Sequence, residues 1–122
     1  MEIGEFAARL LSMADLIHEA HLKTTSYAEH KALGIYDDVR DFADSFIETW
    51  QGQHGLIEFD MVHVDAGFQG TGLDAVMRLI LLLDEAKKDL AADMAAYGHY
   101  VNMIEEMISK AYSTIYKLRF LK

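Results

Sequence analysis

The sequence has neither cysteine nor proline among its 122 residues. Without cysteine, disulfide bonds, thiol catalysis and thiolate metal sites are all excluded. Without proline, the commonest helix breaker is absent, so only the eight glycines interrupt the chain. These absences favour long helices, and any metal site in the chain must be built without thiolate ligands.

Basic residues and long apolar runs are also scarce. Lysine and arginine number 11 against 20 aspartates and glutamates, which gives a formal net charge of −9. An acidic surface repels phosphate backbones, so this charge argues against nucleic-acid binding. The longest apolar run, residues 79–83, is too short to span a bilayer, and the first residues lack the pattern of a signal peptide. We therefore expect a cytoplasmic protein that does not enter a membrane.

Apolar residues recur at every third or fourth position in four segments, which is the spacing of one helix face. The pattern predicts helices at about 3–22, 26–51, 73–97 and 99–121. Ser26 and Glu29 have the spacing of a capping box at the start of the second helix, and Gly52 and Gly98 mark helix ends. The predicted fold class is all-α, with residues 1–122 forming one four-helix-bundle domain.

The connection between the second and third predicted helices, residues 52–72, is long and contains five glycines. Residues 57–60 and 62–65 alternate apolar and polar side chains, which is the period of a strand. One short strand pair is possible here. We expect instead an irregular crossover with about one helical turn, because no other strand in the chain could pair with it. Short connections on both sides of one long crossover indicate a ferritin-like four-helix bundle.

One face of the second helix carries an acidic row, which we define as Asp37, Asp41, Asp44 and Glu48. Counted from His30 through Gly34, the row continues in steps of three and four residues, so its members lie on one side of the helix. Carboxylates at these spacings repel one another. The row therefore indicates either a solvated face or a place where a cation or a basic partner binds. The sequence has no Glu-x-x-His motif, which argues against a complete di-iron centre within one bundle.

The stretch from His21 to Glu48 resembles the metal-site region of Dps-type miniferritins. His21 lies near the end of the first helix, His30 lies early in the second, and Asp44-Ser-Phe-Ile-Glu48 is an Asp-x-x-x-Glu pair further along it. The family usually has tryptophan where this chain has Leu22. More loosely, the start of the second helix, Tyr-Ala-Glu-His, resembles short phage proteins of ferritin-like cast.

The miniferritin resemblance implies a metal site that two subunits share. Its direct ligands would be His21, Asp44 and Glu48, with His30, Asp37 and Asp41 in secondary roles. Histidines of one subunit would face carboxylates of the other, and the metal would be iron, Fe(II) and Fe(III), or another divalent ion. The implied function is metal binding with ferroxidase-type iron oxidation and storage, in the host cytoplasm if a phage encodes the protein. The alternative is a metal-free helical interaction or structural protein of phage origin that keeps the fold without the site.

Several apolar residues lie outside the stripe that one bundle core requires. They are Leu33, Ile47, the run 79–83, Tyr100, Met103 and Met107. Apolar surface left over after a core has closed usually marks an interface. We therefore expect a homo-oligomer, at least a dimer, in which a two-fold axis brings the histidines of one chain to the carboxylates of the other.

Overall fold

The computed structural model describes residues 1–60, 68 and 70–121, and all regular secondary structure in these residues is helical. The first helix, α1, spans Ile3–Leu22. A second helical segment consists of α2 (Tyr27–Ala32), a 3₁₀ turn (Leu33–Ile35) and α3 (Tyr36–His54). The last two helices are α4 (Gly72–Ala91) and α5 (Met94–Phe120). The all-α prediction is confirmed, with α1, α3, α4 and α5 as the four long helices.

The four long helices enclose one hydrophobic core. α1 contacts α3 and α4, while α5 contacts α4, α3 and the short α2. Each long helix contributes a fully buried large side chain: Leu10 from α1, Phe46 from α3, Leu79 from α4 and Tyr100 from α5. That the bundle has the ferritin-like topology stays a prediction. Among the described residues, no helix has the length and apolar character needed to cross a membrane.

The crossover packs against the start of α1. Residues 55–60 have no regular structure, as the sequence predicts for this part of the crossover. The Asp60 amide donates to the Gly4 carbonyl oxygen at 3.3 Å, and the Ile57 side chain is buried in the core. The second alternating segment, 62–65, lies outside the described residues. The segment 55–60 of the crossover is therefore held against the start of α1 at Ile57 and Asp60, while its other residues are exposed.

A capping box starts α4 at the end of the crossover. The Thr71 amide donates to Asp74 Oδ2 at 2.9 Å, and the Asp74 amide donates to Thr71 Oγ1 at 3.2 Å. Hydrogen bonds from the backbone and side chain of Thr71 hold the pKa of Asp74 below its usual range. The stability that this carboxylate contributes is therefore present above its unfolded-state pKa and is lost as the pH falls through the lower folded-state pKa.

Two predicted helix ends are wrong, and in both cases a glycine is tolerated inside a helix. The second helix passes Gly52 and ends at His54, where Gly55 adopts a φ of 93° that favours glycine. The break between the last two helices lies before Met94 rather than at Gly98. Asp93 is the physical reason, because its side chain accepts a hydrogen bond from the Ala96 amide at 3.2 Å and caps α5.

Replacing Gly98 by alanine is expected to stabilise the protein by about 0.5–1 kcal/mol, because glycine loses more backbone freedom on folding than alanine does. A Cβ at this position would meet only the Met94 Cε atom, at an ordinary 3.7 Å. The measurement is the free energy of unfolding from urea denaturation at constant m-value. Gly72→Ala is the matched control and should destabilise, because its Cβ would lie 2.6 Å from Leu33 Cδ1. A loss of stability in Gly98→Ala would contradict this account.

Candidate metal-binding site

The histidines at the end of α1 and in α2 lie against each other. The turn between these helices reverses the chain and brings His21, on the last turn of α1, beside His30. Their rings stack with centroids 3.8 Å apart and an angle of 24° between the ring planes. The two histidines that the miniferritin resemblance names as ligands are therefore in direct contact within one chain.

Each of these two histidines binds the backbone of the other through Nδ1. His21 Nδ1 lies 2.7 Å from the His30 carbonyl oxygen, and His30 Nδ1 lies 3.0 Å from the His21 carbonyl oxygen. A carbonyl oxygen only accepts hydrogen bonds, so both Nδ1 atoms carry the proton. In a neutral ring this arrangement leaves the lone pair on Nε2. A metal-binding histidine is oriented in the same way, by a hydrogen bond from its other ring nitrogen.

A threonine in the turn supports this arrangement. The Thr24 hydroxyl donates to the His21 carbonyl oxygen at 3.0 Å. The same hydroxyl oxygen lies 3.0 Å from His30 Nδ1 and can accept from it. One polar side chain thus joins the backbone of α1 to the His30 ring on α2.

Two further rings extend the pair into what we call the histidine cluster, defined as His18, His21, His30 and Tyr36. The His18 and Tyr36 rings stack with centroids 3.9 Å apart and 12° between their planes, and the Tyr36 centroid lies 5.1 Å from that of His21. Tyr36 was not predicted to be a partner of the histidines. In the sequence it stands out only as the first of a series of apolar residues at helical spacing, Tyr36, Val39, Ala43, Phe46 and Trp50.

The acidic row is not part of the histidine cluster. Asp37, Asp41, Asp44 and Glu48 are all exposed on α3. Glu48 follows His30 by 18 residues, which corresponds to roughly 27 Å along a helix. Within residues 1–60, 68 and 70–121, no group of three or more His, Cys, Asp or Glu side chains is arranged to hold a metal ion. One chain therefore presents its histidines and the far carboxylates of the row at separate places.

Arg40, the basic residue among the acids of α3, makes its ion pair with α1. Arg40 Nη2 lies 3.4 Å from Asp15 Oδ1 on α1, and its guanidinium carbon lies 5.4 Å from the centre of the Tyr36 ring. Arg40 thus ties α3 to α1 beside the histidine cluster. This leaves the carboxylates of the row exposed to water or to a partner.

A second group of aromatic and histidine side chains lies at the far end of α3 and has a structural role. The Tyr100 hydroxyl donates to Gln53 Oε1, and His99 Nε2 lies 2.8 Å from the same oxygen. Burial raises the pKa of Tyr100, and the neighbouring Tyr97 adds to the effect. The His54 ring rests against Trp50 with centroids 4.5 Å apart. These contacts join α3 to α5, and they do not converge on an open ligand position.

Comparisons with known proteins give one family and one distant relative. A family described as "Family of unknown function (DUF5856)" matches residues 21–118. The chain is also similar to the outer membrane protein assembly factor BamD of Xylella fastidiosa, with 25% identity over 123 aligned residues. That alignment covers 93% of this chain and 41% of the relative, so the chain spans less than half of that protein. No solved structure matches the chain.

Proposed function

We propose a metal-binding function for this chain, which belongs to the family of unknown function DUF5856. The proposed ligands are the His21 and His30 imidazoles, and the observation that carries the proposal is the pair of Nδ1 hydrogen bonds between them. Those bonds orient both rings before any metal arrives, so binding an ion costs little further ordering of the side chains. Imidazole nitrogen together with carboxylate oxygen suits Fe(II), Mn(II) and Zn(II). Iron is the first candidate because the miniferritin resemblance implies it.

Two imidazoles do not complete a transition-metal site, so we propose that a second copy supplies the carboxylates. Asp44 and Glu48 are one helical turn apart on the exposed face of α3. In a two-fold dimer each chain would present its histidines to the acids of the other. This proposal follows the Dps-like, ferritin-like arrangement, in which the site takes up Fe(II), oxidises it with dioxygen and stores the product. Asp37 and Asp41 would add negative charge near the entering cation.

The surface beside the His21–His30 pair supports a partner at this place. Leu22, which directly follows His21, is 69% exposed, and Tyr27, three residues before His30, is 77% exposed. Large apolar side chains this open to water are typical of contact surfaces when they lie together. By contrast, most of the apolar residues that the sequence assigns to an interface lie in the core of the single chain, including Leu33, Ile47 and Tyr100. The proposed dimer therefore rests on the residues beside the histidines.

Anaerobic Fe(II) titration by calorimetry tests the proposal. The wild type is expected to bind iron stoichiometrically, and His21→Ala or His30→Ala should weaken binding at least about tenfold, as loss of groups at metal sites does. His54→Ala is the matched control, because His54 is also exposed but rests against Trp50. Admitting air then measures whether bound iron oxidises faster than iron in buffer. Unchanged iron binding in both cluster variants would refute the site.

Mixing two inactive variants tests whether subunits share the site. His21→Ala lacks a nitrogen ligand, and Glu48→Ala lacks an oxygen ligand. A mixed dimer of the two contains one intact site if the ligands come from different chains, so binding should return at up to half the wild-type stoichiometry. Light scattering must show a particle larger than the 13.8 kDa chain. A monomer at micromolar concentration, or no recovery on mixing, would exclude the shared site.

The second candidate is a metal-free helical interaction protein. The BamD relative is named as an assembly factor of outer membrane proteins, which is a role in protein assembly rather than in metal chemistry. This chain has exposed aromatic side chains in steps of four along α5: Tyr112, Tyr116 and Phe120, which are 56%, 54% and 71% exposed. Such a stripe favours protein binding. The iron titration separates the two candidates, because this one predicts no stoichiometric metal.

A further inference from the structure

A groove of about 260 Å³ runs between α3 and α5. Its apolar lining consists of Phe42 from α3 and of Met103 and Met107 from α5. Met107 is buried, while Phe42 and Met103 are half-buried and reachable from outside. Methionine side chains are flexible and polarisable, so a surface of this kind adapts to apolar side chains of different shapes.

Carboxylates stand along both walls of the groove. Asp38 and Asp41 line it from α3, and Glu106 lines it from α5. Lys110 also lines the groove, and no ion pair joins it to a carboxylate within the described part of the chain. Three acids against one base make this apolar groove negative at its edges. The net charge of −9 adds to the potential that a positive partner would meet.

We propose that this groove binds a basic amphipathic helix of a partner protein. Apolar side chains at steps of three and four would enter the groove over Met103 and Phe42. Lysines or arginines on the flanks of that helix would reach Asp41 on one wall and Glu106 on the other. The histidine cluster at the α1–α2 turn does not line the α3–α5 groove, so peptide binding by the metal-free chain tests this interaction apart from metal binding. It gives part of the acidic row a role as one wall of a docking site.

A designed peptide provides the probe. We would use a fluorescent 18-residue helix of leucine and lysine and, as its control, the same leucine pattern with glutamate in place of lysine. Fluorescence anisotropy at about 0.15 M salt, where the screening length is about 8 Å, measures binding to the full chain. The lysine peptide is expected to bind and the glutamate peptide is not. Equal binding of both peptides would overturn the proposal, because it would show that charge complementarity has no part.

Two double variants of equal charge test the location. Asp41→Asn with Glu106→Gln removes one acid from each wall, whereas Glu85→Gln with Glu105→Gln removes two exposed acids of α4 and α5 outside the groove. The groove variant should bind the lysine peptide about three- to tenfold more weakly, the effect of two surface ion pairs. The control should change by less than about twofold, since screening leaves little long-range attraction. Equal losses would mean that net charge alone attracts the peptide and would refute the docking site.

Met103→Ala tests the apolar contact. It should weaken peptide binding several-fold without changing the fold, because Met103 is only partly buried. Light scattering of this variant also shows whether a second copy is the occupant. If wild type dimerises and Met103→Ala is monomeric, the groove is a homodimer contact and the proposal is wrong. If peptide affinity is unchanged in Met103→Ala, the groove is likewise not the binding surface.

Discussion

Replacing Phe46 by alanine is expected to lower the free energy of unfolding by about 3–5 kcal/mol, the cost of deleting a buried aromatic ring from a packed core. The Phe46 side chain is fully buried. Its ring meets Phe6 of α1 edge to face at 5.2 Å, and it meets Tyr100 of α5 at 5.1 Å. One truncation therefore loosens three helices at once. Since small domains have only about 5–15 kcal/mol in total, this change removes a large part of the stability.

Urea denaturation followed by circular dichroism measures this effect. Phe120→Ala is the matched control, because that ring is 71% exposed at the end of α5. The control should stay within about 0.5 kcal/mol of wild type, as surface substitutions usually do. If Phe46→Ala loses no more stability than Phe120→Ala, the Phe46 ring is not in the core and the packing described above is incorrect.

Replacing Gly4 by alanine is expected to destabilise the protein by about 1–3 kcal/mol, the usual cost of forcing extra atoms into a packed site. A Cβ on Gly4 would overlap the carbonyl oxygen of Glu58 in the crossover. That oxygen belongs to the backbone and cannot move away without shifting the chain. The crossover would have to separate from α1, and the Asp60 to Gly4 hydrogen bond and the burial of Ile57 would weaken with it.

Hydrogen exchange locates the damage in the Gly4 variant. The Asp60 amide should exchange faster in Gly4→Ala, while amides in the middle of α4 should follow only the change in global stability. Gly98→Ala is again the useful comparison, because it makes the same chemical change inside a helix with free space and should raise stability. If amide exchange becomes faster by the same factor throughout the chain, with no additional acceleration at Asp60, the crossover does not pack against Gly4.

Local signals account for the helices that the sequence predicts well. α1 begins and ends where its apolar period does, at Ile3 and Leu22. Ser26 caps the next helix, with its hydroxyl accepting from the Glu29 amide at 3.2 Å. Both features depend on residues within one or two turns of each other. The 3₁₀ turn at Leu33–Ile35 had no such local signal. The position of the break between α4 and α5 was set by Asp93, which caps the start of α5, and not by Gly98.

The features of the candidate site likewise fall into those that the sequence predicts and those that it does not. The sequence places His21 at the end of one helix and His30 early in the next, with a short turn between them, but it did not predict that their rings touch. Their distance from Glu48 follows from helix length, since about 1.5 Å per residue carries an acid late in α3 away from the α1–α2 turn. The orientation of the two rings could not be predicted. It depends on which carbonyl oxygen each Nδ1 reaches, and the path of the backbone around Thr24 decides that.

By itself the sequence determined the all-α class, the four long helical segments, the positions of His21 and His30 on either side of a short turn, and the line of acids, because each depends on residues that are close along the chain. Only the tertiary structure decided which apolar residues form the core. Leu33, Ile47, Tyr100 and Met107 lie outside the predicted stripes, yet all four are buried within one chain. Burial is set by the side chains that arrive from other helices, and a period counted along one helix contains no information about them.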